Sequence, residues 1–331
     1  MGKKLNLTIF VLLLLSNFTI AETYKIAFGS CLDQENPQPI WDAVYKENID
    51  SFVFLGDNIY GDVPSGELNK MVTAYELQSK MIPSWLFNKN IEVIWDDHDF
   101  GKNDGGSSYP LKKQAEKLYL DFWGIPQEDI RRKREGIYTN KIISINNFKI
   151  NLILLDTRYF RSDLKKTDGL EPIYLRNELP NATILGKQQW SWLIKTLNRD
   201  ADLTIIATSI QLLPTTHRFE KWSNFPSDYL KLKELLKSKN TPILVISGDR
   251  HQGAIYNDDN IYEITSSSLN KTISSIFSRP KEEDKYMLGD MYSSENYGLI
   301  TINTNEKVFE IELRDINGKR VRHKLINIKK G

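Results

Sequence analysis

Apolar residues along this chain follow two rhythms. Short unbroken runs bounded by glycine and polar residues alternate with longer stretches in which apolar positions recur every three or four residues. The first rhythm predicts buried strands and the second amphipathic helices. Strands are expected at Tyr24–Phe28, Ser51–Leu55, Ile91–Trp95, Ile137–Ile145, Lys149–Leu155, Leu203–Thr208 and Pro242–Ser247. Helices are expected at Pro39–Tyr45, Leu68–Phe87 with a break at Pro83, Leu111–Trp123, Gly186–Leu197 and Tyr229–Leu236. Residues 161–185 have little periodicity and are expected to form a long surface excursion. From Ile261 onward the pattern changes to strands at Ile261–Thr265, Tyr297–Ile302, Val308–Leu313 and Arg320–Ile326, with a helix allowed only over Lys271–Phe277. Alternating strands and helices followed by a run of strands predict one α/β domain over residues 22–331. Its second sheet is expected to come largely from the C-terminal part.

Several of the expected strands end alike. Leu55 runs into Gly56-Asp57-Asn58-Ile59-Tyr60, Ile94 into Trp95-Asp96-Asp97-His98-Asp99, Leu155 into Asp156-Thr157-Arg158, and Ser247 into Gly248-Asp249-Arg250-His251. The first strand ends at Gly29-Ser30-Cys31. In open α/β sheets ligands bind beyond the carboxyl ends of the strands, so these tails predict one polar site assembled from distant segments. Two carboxylates from separate strands, with imidazole, thiolate and phenolate donors nearby, suit two cations sharing one aspartate. Thiolate and phenolate favour a polarising ion such as ferric iron, whereas carboxylate and amide oxygens favour calcium, magnesium or manganese.

Composition narrows the picture. Lys3 and Lys4, the apolar run Thr8–Leu15 and the small-residue stretch Thr19-Ile20-Ala21 read as a signal peptide over residues 1–21, and hence as a secreted or periplasmic protein. The alternative is an uncleaved anchor, for which the apolar run is short. Membrane association is expected only in that case. The whole chain has 44 basic and 43 acidic residues. Removal of Lys3 and Lys4 with the leader leaves a net charge of −1, which argues against broad attraction to nucleic acid or anionic lipid. Cys31 is the single cysteine, so no internal disulfide is available and the thiol is buried and inert, reactive, or a ligand.

Six motifs in order, Gly29-Ser30-Cys31, Gly56-Asp57-Asn58-Ile59-Tyr60, Trp95-Asp96-Asp97-His98-Asp99, Leu155-Asp156-Thr157-Arg158, Leu185-Gly186-Lys187-Gln188-Gln189-Trp190 and Ser247-Gly248-Asp249-Arg250-His251, carry a resemblance. Over residues 25–255 the chain resembles the PhoD-type alkaline phosphatase/phosphodiesterases within the calcineurin-like metallophosphoesterases. The resemblance implies a four-layer αββα sandwich of two mixed sheets and hydrolysis of phosphate mono- or diesters by metal-activated water. It also implies a ferric ion with calcium, with Mn²⁺, Mg²⁺ or Zn²⁺ as substitutes. By the same resemblance Cys31, Asp57, Tyr60 and His251 hold the iron, Asp57 bridges, Asp97 and Asp249 face the calcium side, and Asn103 adds an oxygen. His98 protonates the leaving group and Arg158 grips phosphate oxygens in bidentate fashion.

The residues also admit plainer readings. Cys31 alone would be a small buried hydrophobe and Tyr60 a rim phenol. Asp96 and Asp99 are expected to support or cap rather than ligate, and Asn58 to set the turn that aims Tyr60. Arg158 could equally be an internal ion-pair partner, with Arg161 a similar candidate. His217 and His323 are expected to be ordinary residues, although His217 follows a strand and loop that could reach the site. Competing functions are a phospholipase- or nuclease-like diesterase and a catalytically idle metal- or phosphate-binding protein. No specific nucleic-acid or protein partner is indicated.

Overall fold

A computed structural model describes residues 23–169, 173–273 and 283–328. The expected leader lies outside them, as does most of the expected helix at Lys271–Phe277; its first three residues are not helical. In chain order the main elements are β1 (Thr23–Gly29), α1 (Ile40–Lys46), β2 (Ser51–Leu55), α2 (Asn69–Met81), β3 (Asn90–Ile94), α3 (Asp97–Phe100), α4 (Lys112–Phe122), β4 (Thr139–Ile145) and β5 (Phe148–Leu154). They continue with β6 (Lys165–Lys166), β7 (Tyr174–Leu175), α5 (Gly186–Thr196), β8 (Leu203–Thr208), α6 (Pro226–Lys237), β9 (Ile243–Ser247), β10 (Gly253–Asp258), β11 (Ile261–Ser266), β12 (Asn296–Asn303), β13 (Val308–Asp315) and β14 (Arg320–Asn327).

Two six-stranded mixed sheets result, in the orders β14-β13-β12-β1-β2-β3 and β10-β11-β9-β8-β5-β4. Within the first, β1, β2 and β3 run parallel; within the second, β5, β8, β9 and β11 do. The expected origin of the second sheet needs correction. The C-terminal strands β12–β14 extend the first sheet, because β12 pairs antiparallel with β1. Only β10 and β11 of the late strands join the second, and β10 escaped the sequence pattern. Within the expected excursion, β6 and β7 pair antiparallel as a small ribbon.

Alternation along the strands sets the layers. On the second sheet Leu152, Leu154, Ile205, Ala207, Leu244 and Ile246 join the large core shared with the first sheet. Ile153, Ile206 and Val245 point the other way, into a core with Trp190 and Leu193 of α5 and Leu232 and Leu236 of α6. On the first sheet Phe52 and Phe54 of β2 pack on Trp41 of α1, and Phe54 also meets Trp123 just beyond α4. Tyr75 of α2 packs on Phe122 of α4. Helices, sheet, sheet and helices therefore stack in four layers. Burying such aromatic side chains contributes about 1.5–3 kcal/mol each, which fixes the strand ends that carry polar residues.

Candidate active site

Those ends converge. Ser30 N donates to Ser266 O at 3.1 Å, joining the exits of β1 and β11 across the two sheets. Around this junction three overlapping groups of side chains hold potential ligand atoms within 4.8 Å of one another: Cys31, Asp57 and His251; Asp57, Asp97 and His98; and Asp96, Asp97 and Asp249. Asp57 belongs to two groups and so does Asp97. Asp57 divides its oxygens. Oδ2 receives the Tyr60 hydroxyl at 3.1 Å and lies 3.5 Å from Cys31 Sγ, whereas buried Oδ1 has no hydrogen-bond partner. Tyr60 Oη also lies 3.3 Å from His251 Nε2.

The backbone at these positions is unusual. Cys31, Asp57, Asp249 and His251 have φ of 59°, 51°, 69° and 52°. A left-handed conformation costs a non-glycine residue about 1–2 kcal/mol, and such strain concentrates at functional sites. Gly56 makes the turn before Asp57 feasible: its φ is +97°, and an added Cβ would stand 2.5 Å from the Asp96 Cβ.

Electrostatics put the cluster under stress. Burial pushes Asp57 and Asp249 well above the ordinary carboxylate range; His98 pulls Asp57 back, while Asp96 and Asp97 raise Asp249 further. Burial lifts the Cys31 thiol to about 11 and raises the Tyr60 phenol. Burial, with Lys271 and His98 nearby, lowers His251 to about 3. Asp97 is the exception: burial opposes its charge, but His98 and Arg158 outweigh it and hold the carboxyl well below its usual range. Four acids this close, Asp57 and Asp96 each with a buried oxygen lacking a partner, form a cluster that cations would relieve. The donor set fits: thiol, phenol and the His251 imidazole gather with Asp57 in one group, and Asp97 joins Asp96 and Asp249 in an all-carboxylate one.

His98 has a partner the sequence did not reveal. Its Nδ1 lies 2.5 Å from Asp62 Oδ1, which leaves Nε2 as the free ring nitrogen, and the Asp62 Oδ2 accepts from Asn103 N at 3.1 Å. Burial disfavours the imidazolium, yet Asp97, Asp57 and Asp62 together raise its pKa well above the usual value.

Two expected site residues take other partners. Arg158 is 0% exposed, and its guanidinium donates to Asp96 Oδ1 at 2.5 Å and to Glu220 Oε2 at 2.6 Å. Committed to two buried carboxylates, it offers no open fork for phosphate. Glu220 also pairs with Arg161 at 2.9 Å, and Arg161 donates to the carbonyls of Asp104 and Gly105. Asp104 N in turn donates to Asp97 Oδ2 at 2.7 Å. The two arginines thus brace the acidic loops from behind. Asn103 is exposed, and its amide donates to Asp104 Oδ2 at 2.9 Å rather than turning into the cluster.

The remaining motif residues are scaffold. Asp156 accepts from Trp95 Nε1, Ile137 N, Arg158 N and Tyr159 N, and Gln189 bonds both backbone polar groups of Asp156. Asp99 accepts from Asn58 N and Asp96 N, and the Asn58 amide donates to Ile94 O, so Asn58 is a turn anchor. Gln34 exchanges two hydrogen bonds with the backbone of Tyr60. His217 Nδ1 accepts from Phe219 N and faces Arg250 Nη1 at 2.7 Å; burial and that guanidinium hold it neutral. It belongs to none of the three groups, and His323 pairs with Glu310 on β13. Asp62, at the end of the tail that follows β2, and Ser267, directly after β11, were given no role by the sequence, and Glu220 and Lys271 lie in loops without a strand-end pattern.

Comparison with known proteins agrees with this architecture. Alkaline phosphatase D of Bacillus subtilis (strain 168) is 25% identical over 291 residues, which cover 73% of this chain and 48% of that protein. The chain thus spans about half the length of that curated relative. A solved structure of PhoD superposes with a TM-score of 0.66 at 18% identity, covering 92% of this chain and 68% of the other. The structure of GAP50, the anchor in the inner membrane complex of Plasmodium, gives 0.63 at 15% identity, covering 93% and 90%. The model of the PhoD-like phosphatase family matches residues 88–315, more than half of the sequence. With that match spanning β3 to β13 and the loops that carry Asp97, His98, Asp249 and His251, the chain belongs to the PhoD-like phosphatase family.

Proposed function

We propose that the protein is an exported, metal-dependent phosphoesterase that hydrolyses phosphate mono- or diesters. The observation that carries this reading is the set of three overlapping ligand groups sharing Asp57 and Asp97, with the His98–Asp62 pair against them. Cys31, Asp57, Tyr60 and His251 would hold ferric iron, and Asp57, Asp97 and Asp249 would hold calcium. Bound there, the cations would supply Lewis acidity and an activated water.

The chain's own residues do the rest. Asp62 orients His98 through Nδ1, so that Nε2 can donate a proton to the departing alkoxide. Arg158 favours the ionised forms of Asp96 and Asp97 and holds both in place without touching the ester, although burial still lifts Asp96 to about 7. A cavity of about 300 Å³ lined by Lys102, Asp104, Tyr109, Lys166 and Tyr174 adjoins the loop that buttresses Asp97 and gives the departing group room. Among the described residues no helix is long and apolar enough to cross a membrane. Export rests on the leader at residues 1–21, and N-terminal sequencing of the secreted protein tests it.

The fold alone permits a catalytically idle binding protein, because one fold hosts many functions. An intact His98 beside Asp62 favours catalysis. Purified protein loaded with iron and calcium should hydrolyse bis-p-nitrophenyl phosphate or p-nitrophenyl phosphate, and His98→Ala should abolish turnover while retaining metal. No turnover of either ester with both metals bound would refute the proposal.

A further inference from the structure

We propose that Lys271 positions the substrate: its ammonium meets the phosphoryl oxygens at the mouth of the site, the task that the family resemblance implied for Arg158. This rests on the phosphoesterase reading above and adds to it the residue that senses the charge of the ester.

The segment that carries Lys271 is built into the site. Beyond β11 the chain folds over the Cys31 loop. Leu269 N donates to Ser30 O at 3.0 Å, and Asn270 N and Lys271 N approach Cys31 O at 3.4 and 3.3 Å. The Ser267 hydroxyl lies 3.2 Å from Cys31 Sγ and accepts from His251 N at 2.9 Å. Asn270 Oδ1 accepts from Asp33 N at 2.6 Å, while its Nδ2 donates to Asp33 O at 2.8 Å. These bonds fix the Lys271 backbone against two candidate ligand loops.

The side chain is equally held. Nζ donates to Asp33 Oδ2 at 2.8 Å and lies 3.5 Å from the centroid of the Tyr60 ring. The same ring lies 4.3 Å from the His98 ring, and its hydroxyl touches Asp57 and His251. Tyr60 is therefore a common platform, with the proposed proton donor and an ammonium both against it. Arg158 and Arg161 are fully buried behind the acidic loops. The Lys271 side chain, in contrast, is 32% exposed. An ammonium has three N–H donors; Asp33 takes one, and the aromatic face accepts only weakly. Donors remain for an anion arriving over Tyr60, which lysine binds as a point charge.

That point charge makes a quantitative difference between substrates. A phosphate monoester carries close to two negative charges at alkaline pH and a diester carries one. Coulomb attraction scales with that charge. Removing the ammonium should therefore cost the monoester twice the logarithmic loss of the diester. At a partly solvated position this corresponds to about tenfold in kcat/KM for the monoester and about threefold for the diester. Most of each loss should appear in KM.

The experiment compares wild type, Lys271→Met and Lys271→Arg, each loaded with iron and calcium and with metal content measured. Substrates are p-nitrophenyl phosphate and bis-p-nitrophenyl phosphate. The expected result is unchanged metal content, a larger loss for the monoester in Lys271→Met, and recovery of the wild-type ratio in Lys271→Arg. Equal losses on both esters, no loss, loss of metal, or a ratio that arginine does not restore would overturn the role of Lys271. Inactive but metal-loaded wild type would instead overturn the phosphoesterase reading itself.

Discussion

Replacing Asp62 by asparagine isolates the charge that holds the His98 proton. The Asn side chain keeps an acceptor beside Nδ1, where Asp62 Oδ1 stands at 2.5 Å, but removes the carboxylate. Three acids raise the His98 pKa: Asp97, Asp57 and Asp62. Cations seated at Asp57 and Asp97 would offset the first two, leaving Asp62 as the uncompensated charge. A hydrogen bond to a charged group contributes about 1.5–3 kcal/mol, against about 0.5–1.5 kcal/mol for a neutral pair. The difference of about 1–1.5 kcal/mol corresponds to roughly one pKa unit. In its proposed role as an acid His98 works only while protonated, and a lower pKa moves the alkaline limb of the profile to lower pH. The assay is kcat against pH for metal-loaded wild type and Asp62→Asn. The limb should move down by about one pH unit, with kcat above it reduced about tenfold and KM and metal content unchanged. A limb that stays in place, or a loss confined to KM or to metal content, would refute the pairing of Asp62 with a proton-donating His98.

Other consequences are independent of that pair. Arg158→Met should destabilise the metal-free protein by about 3–5 kcal/mol in urea, because Asp96 would be left buried without its cation and Glu220 would keep Arg161 alone; unchanged stability with a raised KM would return Arg158 to the phosphate. Cys31→Ser removes a donor from the Cys31, Asp57 and His251 group alone, so elemental analysis should find iron lost and calcium kept. Glu116 is raised by burial from 4.5 to about 8, and its Oε1 has no hydrogen-bond partner. Between those values the folded state binds the extra proton, so stability falls as pH rises through the window, by at most about 1.4 kcal/mol per pH unit. Glu116→Gln should flatten that slope and raise the melting temperature at pH above about 8; a slope unaltered by the substitution would exclude Glu116 as its source.

Much of this architecture is written in short-range pattern. Ser51–Leu55 and Leu203–Thr208 form strands at the expected bounds, and the break at Pro83 ends α2 at Met81. The acid, amide and imidazole tails after β2, β3 and β9 announced a polar site because apolar runs rarely stop so abruptly. What pattern could not supply was partnership across the sheets. β12–β14 read as strands, but only the β1–β12 register places them in the first sheet. Arg158 and Glu220 are 62 positions apart, and no local rhythm links them. Left-handed backbone at Cys31, Asp57, Asp249 and His251 is likewise invisible in composition, because surrounding packing, not intrinsic preference, enforces it.

Asp57 is the proposed bridge between the two cations. Crystals of the protein loaded with iron and calcium, with anomalous scattering recorded on both sides of the iron edge, test it most directly. Two peaks roughly 3.5–4 Å apart should flank the Asp57 carboxylate. The one that responds at the iron edge should contact Cys31, Tyr60 and His251, and the other Asp97 and Asp249. A single peak, or two peaks with Asp57 touching fewer than both, would contradict the account.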